Sequence, residues 1–157
     1  MNLDEAVLQK VADWRPESRQ TRHIGDESSG CAVTVTADRA DDLSCQLWEA
    51  TVRRPMPERG LESLRSWAQE VADRVTSLLE PLHVVEVDVQ RGEALLRSQQ
   101  PSQRGEQVSY YELLLKGAGE ASIRRYRSTH QSGQRREQVP YVLTHEALAK
   151  LVSDLVA

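Results

Sequence analysis

Two ten-residue segments in the second half of the chain constrain the fold most strongly, because each alternates apolar and polar side chains. They are QVSYYELLLK (107–116) and EASIRRYRST (120–129), joined by Gly-Ala-Gly. Successive strand residues point to opposite faces of a sheet, so this pattern predicts an antiparallel hairpin with one apolar face. The simplest register places Leu113 opposite Ile123 on the apolar face. It also places Glu112 opposite Arg124 on the other face, so hydrophobic and charge pairing agree.

The remaining strand signals predict that this hairpin belongs to a larger sheet. Strand patterns bounded by turn residues occur at 18–25, 31–37, 43–53, 83–90, 93–99 and 134–143. The first of these is polar and alternates poorly, so we expect it at an edge of the sheet. In 43–53 the alternation shifts after Leu47 to Trp48, Ala50 and Val52, which predicts a β-bulge. The segment QQPSQRGE (99–106) shows no strand pattern, and we interpret it as a loop.

Three further segments have apolar residues at helical spacing. One spans 3–13 behind the N-cap residue Asn2, and the last follows the N-cap residue Thr144. The middle one runs over 58–80 and is followed by Pro81, which predicts a long central helix of about six turns. The whole chain, 1–157, is therefore predicted to be a single α+β domain. It would have a mostly antiparallel β-sheet and three helices (short N-terminal, long central, C-terminal) packed on one face.

This order of elements resembles that of small bacterial secretion chaperones, which are α+β dimers that hold extended peptides. The resemblance covers most of the chain and rests on the order of elements, without a shared motif; the extra strand late in the chain departs from it. It implies a bacterial protein that forms a homodimer and binds a polypeptide partner.

Composition indicates a soluble chain. Of 157 residues, 39% are hydrophobic and 28% are charged, as in ordinary globular proteins. No apolar run approaches the roughly 20 residues that a membrane helix needs. The first ten residues, MNLDEAVLQK, are acidic and amphipathic rather than signal-like. We therefore expect a cytoplasmic protein with no membrane contact.

The cysteines and histidines indicate neither a disulfide nor a metal site. If Asp38 lies opposite Asp42 in the hairpin formed by 31–37 and 43–53, Cys45 lies opposite Val35 and Cys31 lies opposite Glu49. That register keeps the two cysteines too far apart for a disulfide, so we expect both to be reduced. The four histidines are scattered, without zinc-ligand spacing, and no cofactor is predicted.

Three short patterns deserve comparison with catalytic motifs, and each is better explained without catalysis. GDESSG (25–30) lacks the spacing of a nucleophile elbow and is interpreted as a turn. His145-Glu146 lacks a second histidine four residues after the first and suits a helix N-terminus. Glu86 and Asp88 share one strand face but have no third carboxylate nearby in sequence. The sequence thus predicts no catalytic residues and favours a protein that is not an enzyme.

The strongest candidate for a binding function is an arginine-rich hairpin. Residues 91–136 carry a net charge of +5, although the whole chain carries −4. The hairpin contains Arg124, Arg125, Tyr126, Arg127, Arg135 and Arg136. Arginines with an interleaved tyrosine fit an acidic or phosphorylated partner, or a nucleic acid. The alternative is a charged surface that discourages aggregation, because strand alternation separates Arg124 from Arg125 and Arg127.

A second candidate is a pocket between the sheet and the long helix. Four aromatic residues would line it: Trp48, Trp67, Tyr110 and Tyr111. The competing interpretation is that they fill a core that has no phenylalanine. The leading hypothesis is a non-enzymatic protein-binding, adaptor or chaperone-like domain that recognises an acidic or extended polypeptide. The alternatives are a small-molecule-binding protein or enzyme that uses this pocket, and a nucleic-acid-binding protein, which the acidic net charge disfavours.

Overall fold

The computed structural model describes residues 2–55, 60–129 and 135–157, with the backbone alone at 60–63. Its helices are α1 (Leu3–Ala12), α2 (Gly60–Arg74) and α3 (His145–Val156). Its first five strands are β1 (Gln20–Asp26), β2 (Cys31–Ala40), β3 (Ser44–Arg53), β4 (Leu82–Asp88) and β5 (Glu93–Ser98). The other five are β6 (Ser102–Arg104), β7 (Gln107–Lys116), β8 (Glu120–Thr129), β9 (Glu137–Val139) and β10 (Tyr141–Thr144).

All described strands belong to one antiparallel sheet. Its main path runs β1-β2-β3-β8-β7-β5-β4, so β1 and β4 form the edges, as expected for the polar first strand. The short strands β6, β9 and β10 lie off this path, where β6 pairs with β7, β9 with β8 and β10 with β3. The predicted α+β class, with a mostly antiparallel sheet and three helices, is confirmed.

The β7–β8 hairpin has the predicted register. Leu113 pairs with Ile123 on the apolar face, and Glu112 pairs with Arg124 on the other. Ten residue pairs continue this register without a bulge from Gln107 to Lys116. The agreement follows from the sequence, because a shift by one residue would turn every apolar side chain toward solvent.

The sheet divides between β3 and β8, and β9 and β10 fill the gap. β3 pairs with β8 only over Ala50–Arg53, and beyond that point β9 pairs with β8 while β10 pairs with β3. Pro140, which has no N–H to donate, separates the two short strands. The Tyr141 hydroxyl donates to the Ile123 carbonyl at 3.1 Å inside the gap. The predicted single strand 134–143 is therefore two strands on different partners, and position 134 lies outside the described residues.

The prediction of a long central helix is wrong. Helix α2 has 15 residues and ends at Arg74, and the start of the predicted segment, 58–59, lies outside the described residues. Val75 and Leu78 are buried, so the apolar spacing continues, but the chain there forms a turn in which Leu79 has φ +62°. The apolar residues that follow Arg74 have helical spacing in the sequence because they are buried in the core, although the backbone there is not helical. No helix in the described ranges has the length and hydrophobicity required to cross a lipid bilayer.

The three helices cover one face of the sheet, here called the helix side. The core lies between them and the inward residues of the strands, among them Val35, Leu47, Leu96, Leu113 and Ile123. Helix α1 packs on α3, and α2 lies against β4 and β5. The opposite face, here called the open face, carries polar and charged side chains, as is usual when an antiparallel sheet is covered on one side.

The β2–β3 register differs from the one expected at the cysteines. Cys45 lies opposite Ala40, and Val35 lies opposite Ala50 rather than Cys45. The register shifts around Ala37, and Trp48 is the unpaired residue of the predicted bulge. Cys31 and Cys45 are both free and buried. Burial raises the pKa of the Cys45 thiol to about 11, which keeps it protonated.

Candidate anion-binding site

The arginine-rich hairpin divides between the two faces of the sheet. Arg124 and Tyr126 occupy the open face, whereas Arg125 and Arg127 pair with the inward positions Tyr111 and Ser109. Arg135 is exposed ahead of β9. His130, which follows β8 in sequence, lies outside the described residues. The predicted binding residues therefore do not form one surface.

The open-face arginines are paired with carboxylates. Arg136 donates to Glu112 and stacks 3.8 Å above the Tyr126 ring. Arg97 donates to the same Glu112 at 2.9 Å. Arg124 contacts Glu49 at 3.3 Å. The hydrogen bond to Glu112 raises the pKa of Arg136, and the hydrogen bond to Tyr126 is the main reason that the pKa of Arg124 is raised. Carboxylates thus offset most of the positive charge on this face.

The helix side of the same strands holds a different arrangement, a cavity of about 320 Å³ that we call the basic pocket. Its lining consists of Ser102, Arg104, Gln107, Ser109, Arg125 and Arg127. All six side chains are polar, three are cationic and none is a carboxylate.

The strand register explains why these six residues meet. Ser102 of β6 pairs with Ser109 of β7, which pairs in turn with Arg127 of β8. Arg104 pairs with Gln107, two residues further along β6 toward the turn that joins β6 to β7. Residues opposite one another in a ladder have Cβ atoms about 5 Å apart, and alternate residues share a face. Three adjacent strands therefore present their donors to one volume.

The inner end of the basic pocket is fixed by a largely buried ion pair. Arg125 Nη1 lies 3.0 Å from Glu80, and both side chains are only 15% exposed. The Arg125 guanidinium stacks 4.4 Å above the Tyr111 ring, and the Ser102 hydroxyl donates to Glu80 at 3.1 Å. Burial raises the pKa of Tyr111, so the ring remains neutral. Arg125 Nη1 and Glu80 Oε1 are both fully buried, so the contact between the two side chains is shielded from solvent.

The outer end of the pocket is more exposed. Arg127 donates to Glu137 through Nε at 3.0 Å, and both side chains are in contact with solvent. The Arg104 guanidinium makes no ion pair with any residue in the described ranges. Among the described residues that line the pocket or form ion pairs with its arginines, three arginines thus face two carboxylates, which leaves a net positive charge.

The four aromatic candidates do not line one pocket. Trp67 and Tyr111 are buried on the helix side, Tyr110 lies on the open face, and Trp48 is half-buried at the β3 bulge. Each ring instead has its own guanidinium stacked on it. The pairs are Arg19 on Trp48, Arg54 on Trp67, Arg97 on Tyr110 and Arg125 on Tyr111.

The segments compared with catalytic motifs make structural contacts. Ser28 and Ser29 both donate to Asp26, and these hydrogen bonds lower the pKa of its carboxyl group. Asp88 accepts from two backbone N–H groups of the turn that follows it, each at 3.1 Å. Within residues 2–55, 60–129 and 135–157, no three histidine, cysteine or carboxylate side chains are grouped so that they could hold a metal ion.

Of the six residues that line the basic pocket, only Arg125 and Arg127 are predicted from the sequence as candidate site residues. Ser102 and Arg104 lie in the segment interpreted as a loop, which contains strand β6. A signal was present, since Gly105-Glu106 is a two-residue connection and Gly105 has φ +59°, as short hairpin turns require. The sequence pattern places Glu80 at the end of the predicted central helix, but α2 ends at Arg74.

Comparisons with known proteins provide no assignment for this fold and pocket. No protein-family model matches the chain, and neither the curated proteins nor the solved structures yielded a match.

Proposed function

We propose that the protein is a non-enzymatic binding domain that captures an acidic segment of a polypeptide partner in the basic pocket. The observation that carries this proposal is the lining of the pocket, whose described residues are three arginines and three uncharged polar residues, without a carboxylate. The local net charge of +5 in an otherwise acidic chain supports the same reading, because it concentrates attraction for anions at one end of the sheet.

A polypeptide fits the pocket better than a small apolar ligand. Pockets for small molecules are mostly apolar, with a few polar groups that orient the ligand. Here the lining is entirely polar, and the aromatic residues Trp67 and Tyr111 are buried in the core instead. A polar lining suits a single charged side chain of a larger partner, because only that side chain enters the pocket and the rest of the partner remains outside.

A nucleic acid is less well supported. Binding of single strands combines arginines with aromatic rings on which bases stack. Tyr126 lies on the opposite face of β8 from Arg125 and Arg127, and Arg136 already covers its ring. The acidic segment therefore remains the proposal, and nucleic-acid binding becomes an outcome of its test.

The test is fluorescence anisotropy with a fluorescein-labelled octaglutamate peptide. Arg104→Gln and Arg127→Gln should each weaken binding about fivefold, the loss expected for one exposed charge contact of about 1 kcal/mol. Arg124→Gln is the matched control, because it removes the same charge from the same strand on the other face. It should leave affinity unchanged. No saturable binding, or equal loss in all three variants, would overturn the proposal.

A labelled oligothymidine of eight nucleotides serves as the competing probe. If it binds more tightly than octaglutamate, and if Arg124→Gln weakens it, the alternative of nucleic-acid binding replaces the proposal. Affinity for such a strand should also fall steeply with added salt.

We also infer a homodimer of a cytoplasmic bacterial protein, as the resemblance in element order implies. The uncovered open face and the two reduced, buried cysteines are consistent with this inference. Light scattering during size-exclusion chromatography would test the dimer, since a monomer mass of 17.7 kDa at all concentrations would exclude it.

A further inference from the structure

We propose that the group recognised in the basic pocket is a phosphoryl group carried on a polypeptide side chain. This inference rests on the proposed function and specifies the chemistry of its ligand.

The number and kind of donors favour a phosphoryl group over a carboxylate. Three guanidinium groups, the Ser102 and Ser109 hydroxyls and the Gln107 amide face the same volume. One bidentate guanidinium satisfies a carboxylate, whereas a phosphomonoester presents three terminal oxygens that accept several hydrogen bonds. The Ser102 hydroxyl already donates to Glu80, but the five remaining donor groups, from three strands, still exceed the needs of a carboxylate and match those of a phosphoryl group.

The charge of the site leads to the same ligand. Glu80 and Glu137 each pair with one arginine of the pocket, whereas Arg104 forms no ion pair with any of the described residues. The Arg127–Glu137 pair is exposed, with side chains 41% and 62% accessible, so a ligand can replace Glu137 at little cost. A dianion can then be neutralised by Arg104 and Arg127 together.

Arg125 contributes a fixed donor at the inner end of the pocket. The Tyr111 ring and Glu80 hold its guanidinium in place, and the Arg125 side chain is only 15% exposed. A donor that is already desolvated and oriented gains more from a ligand than one that must first be ordered. We expect Arg125 to anchor the phosphoryl oxygens, with Arg104 and Arg127 closing from the outside.

The size of the pocket favours a phosphorylated side chain over free phosphate. Its volume of about 320 Å³ lies at the lower end of the range for organic ligands, so it exceeds what a single ion fills. The residual space can hold the aliphatic or hydroxyl-bearing stem that carries the phosphoryl group.

The experiment compares three labelled octapeptides that differ only at the central residue, which is phosphoserine, glutamate or serine. The phosphoserine peptide should bind about tenfold more tightly than the glutamate peptide, and the serine peptide should not bind, as expected from the added charge and acceptors. Arg127→Lys keeps the charge and loses the planar fork. This substitution should weaken binding of the phosphoserine peptide and leave binding of octaglutamate unchanged, whereas Arg124→Gln should change the affinity for neither peptide.

Each outcome decides between the proposals. Equal affinity for the phosphoserine and glutamate peptides would overturn the phosphoryl inference and leave the proposed function standing. Absence of binding by any peptide, octaglutamate included, would overturn both. Inorganic phosphate is tested as a competitor. If it binds with the same affinity as the phosphoserine peptide, the free ion is the ligand, and the proposal that the phosphoryl group is carried on a polypeptide is wrong.

Discussion

Glu80→Gln should lower stability and tighten anion binding at once, because this carboxylate supports the basic pocket from behind. Glu80 lies 3.0 Å from Arg125 and accepts a hydrogen bond from Ser102. Glutamine has nearly the same shape and keeps one acceptor oxygen, so the substitution removes the charge with little change in packing.

The loss of stability follows from the burial of the pair. Removing one partner of a buried ion pair costs about 3–5 kcal/mol, and because glutamine retains an acceptor oxygen we expect a smaller loss for Glu80→Gln, about 2–3 kcal/mol. For a chain of this length, 1 kcal/mol corresponds to roughly 2–4 °C. We therefore expect the melting temperature to fall by about 5–10 °C.

The gain in affinity follows from Coulomb's law. An anion on the ligand side of Arg125 lies about 8 Å from the carboxylate behind it, which gives about 2 kcal/mol of repulsion at an effective dielectric constant near 20. Physiological salt, with a Debye length of about 8 Å, reduces this repulsion to roughly 0.8 kcal/mol. Affinity for octaglutamate should therefore rise about fourfold.

Thermal unfolding by circular dichroism and peptide anisotropy together test both parts of this reasoning. Glu137→Gln is the control, because its partner Arg127 lies at the exposed rim, and it should alter the melting temperature little. An unchanged melting temperature in Glu80→Gln would refute the claim that the buried ion pair between Glu80 and Arg125 stabilises the fold. A lower melting temperature without tighter binding would show that the peptide binds elsewhere.

Three further substitutions or treatments test the fold itself. Leu79 is 91% exposed at φ +62°, so Leu79→Gly should stabilise the protein by about 0.5–1 kcal/mol in urea unfolding, and a loss of stability would contradict the strain assigned there. Tyr141→Phe removes the donor to the buried Ile123 carbonyl and should cost about 1–2 kcal/mol in the same assay; no loss would mean that this hydrogen bond contributes nothing net. In a Cys31→Ser variant, Cys45 should react with a thiol reagent at pH 8 only after unfolding, since its folded pKa is raised to about 11; rapid native reaction would exclude the burial. Because that pKa is raised from 9.0, the associated stability should be complete below about pH 9 and lost as pH rises toward 11.

Local patterns determined much of the secondary structure. The alternation in β7 and β8 predicted their register, because the pairing of apolar residues and the placement of Glu112 opposite Arg124 require the same alignment, although Arg124 forms its ion pair with Glu49. Asn2 and Thr144 accept hydrogen bonds from Glu5 and Ala147 as N-caps, since a side-chain oxygen there satisfies a free helical N–H. These features depend on neighbours in sequence or on two strands joined by a short turn.

The basic pocket depended on contacts that local patterns do not contain. Alternation separates Arg124 from Arg125, but it does not reveal which face the helices cover or that β6 brings Arg104 beside β7. The sequence by itself determined the fold class, the β7–β8 register and the local excess of positive charge. Only the tertiary structure decided which arginines are paired with carboxylates and which face a cavity. The physical reason is that Glu49, Glu80 and Glu112 reach their arginines across strands or from the turn after α2, through packing that no single segment specifies.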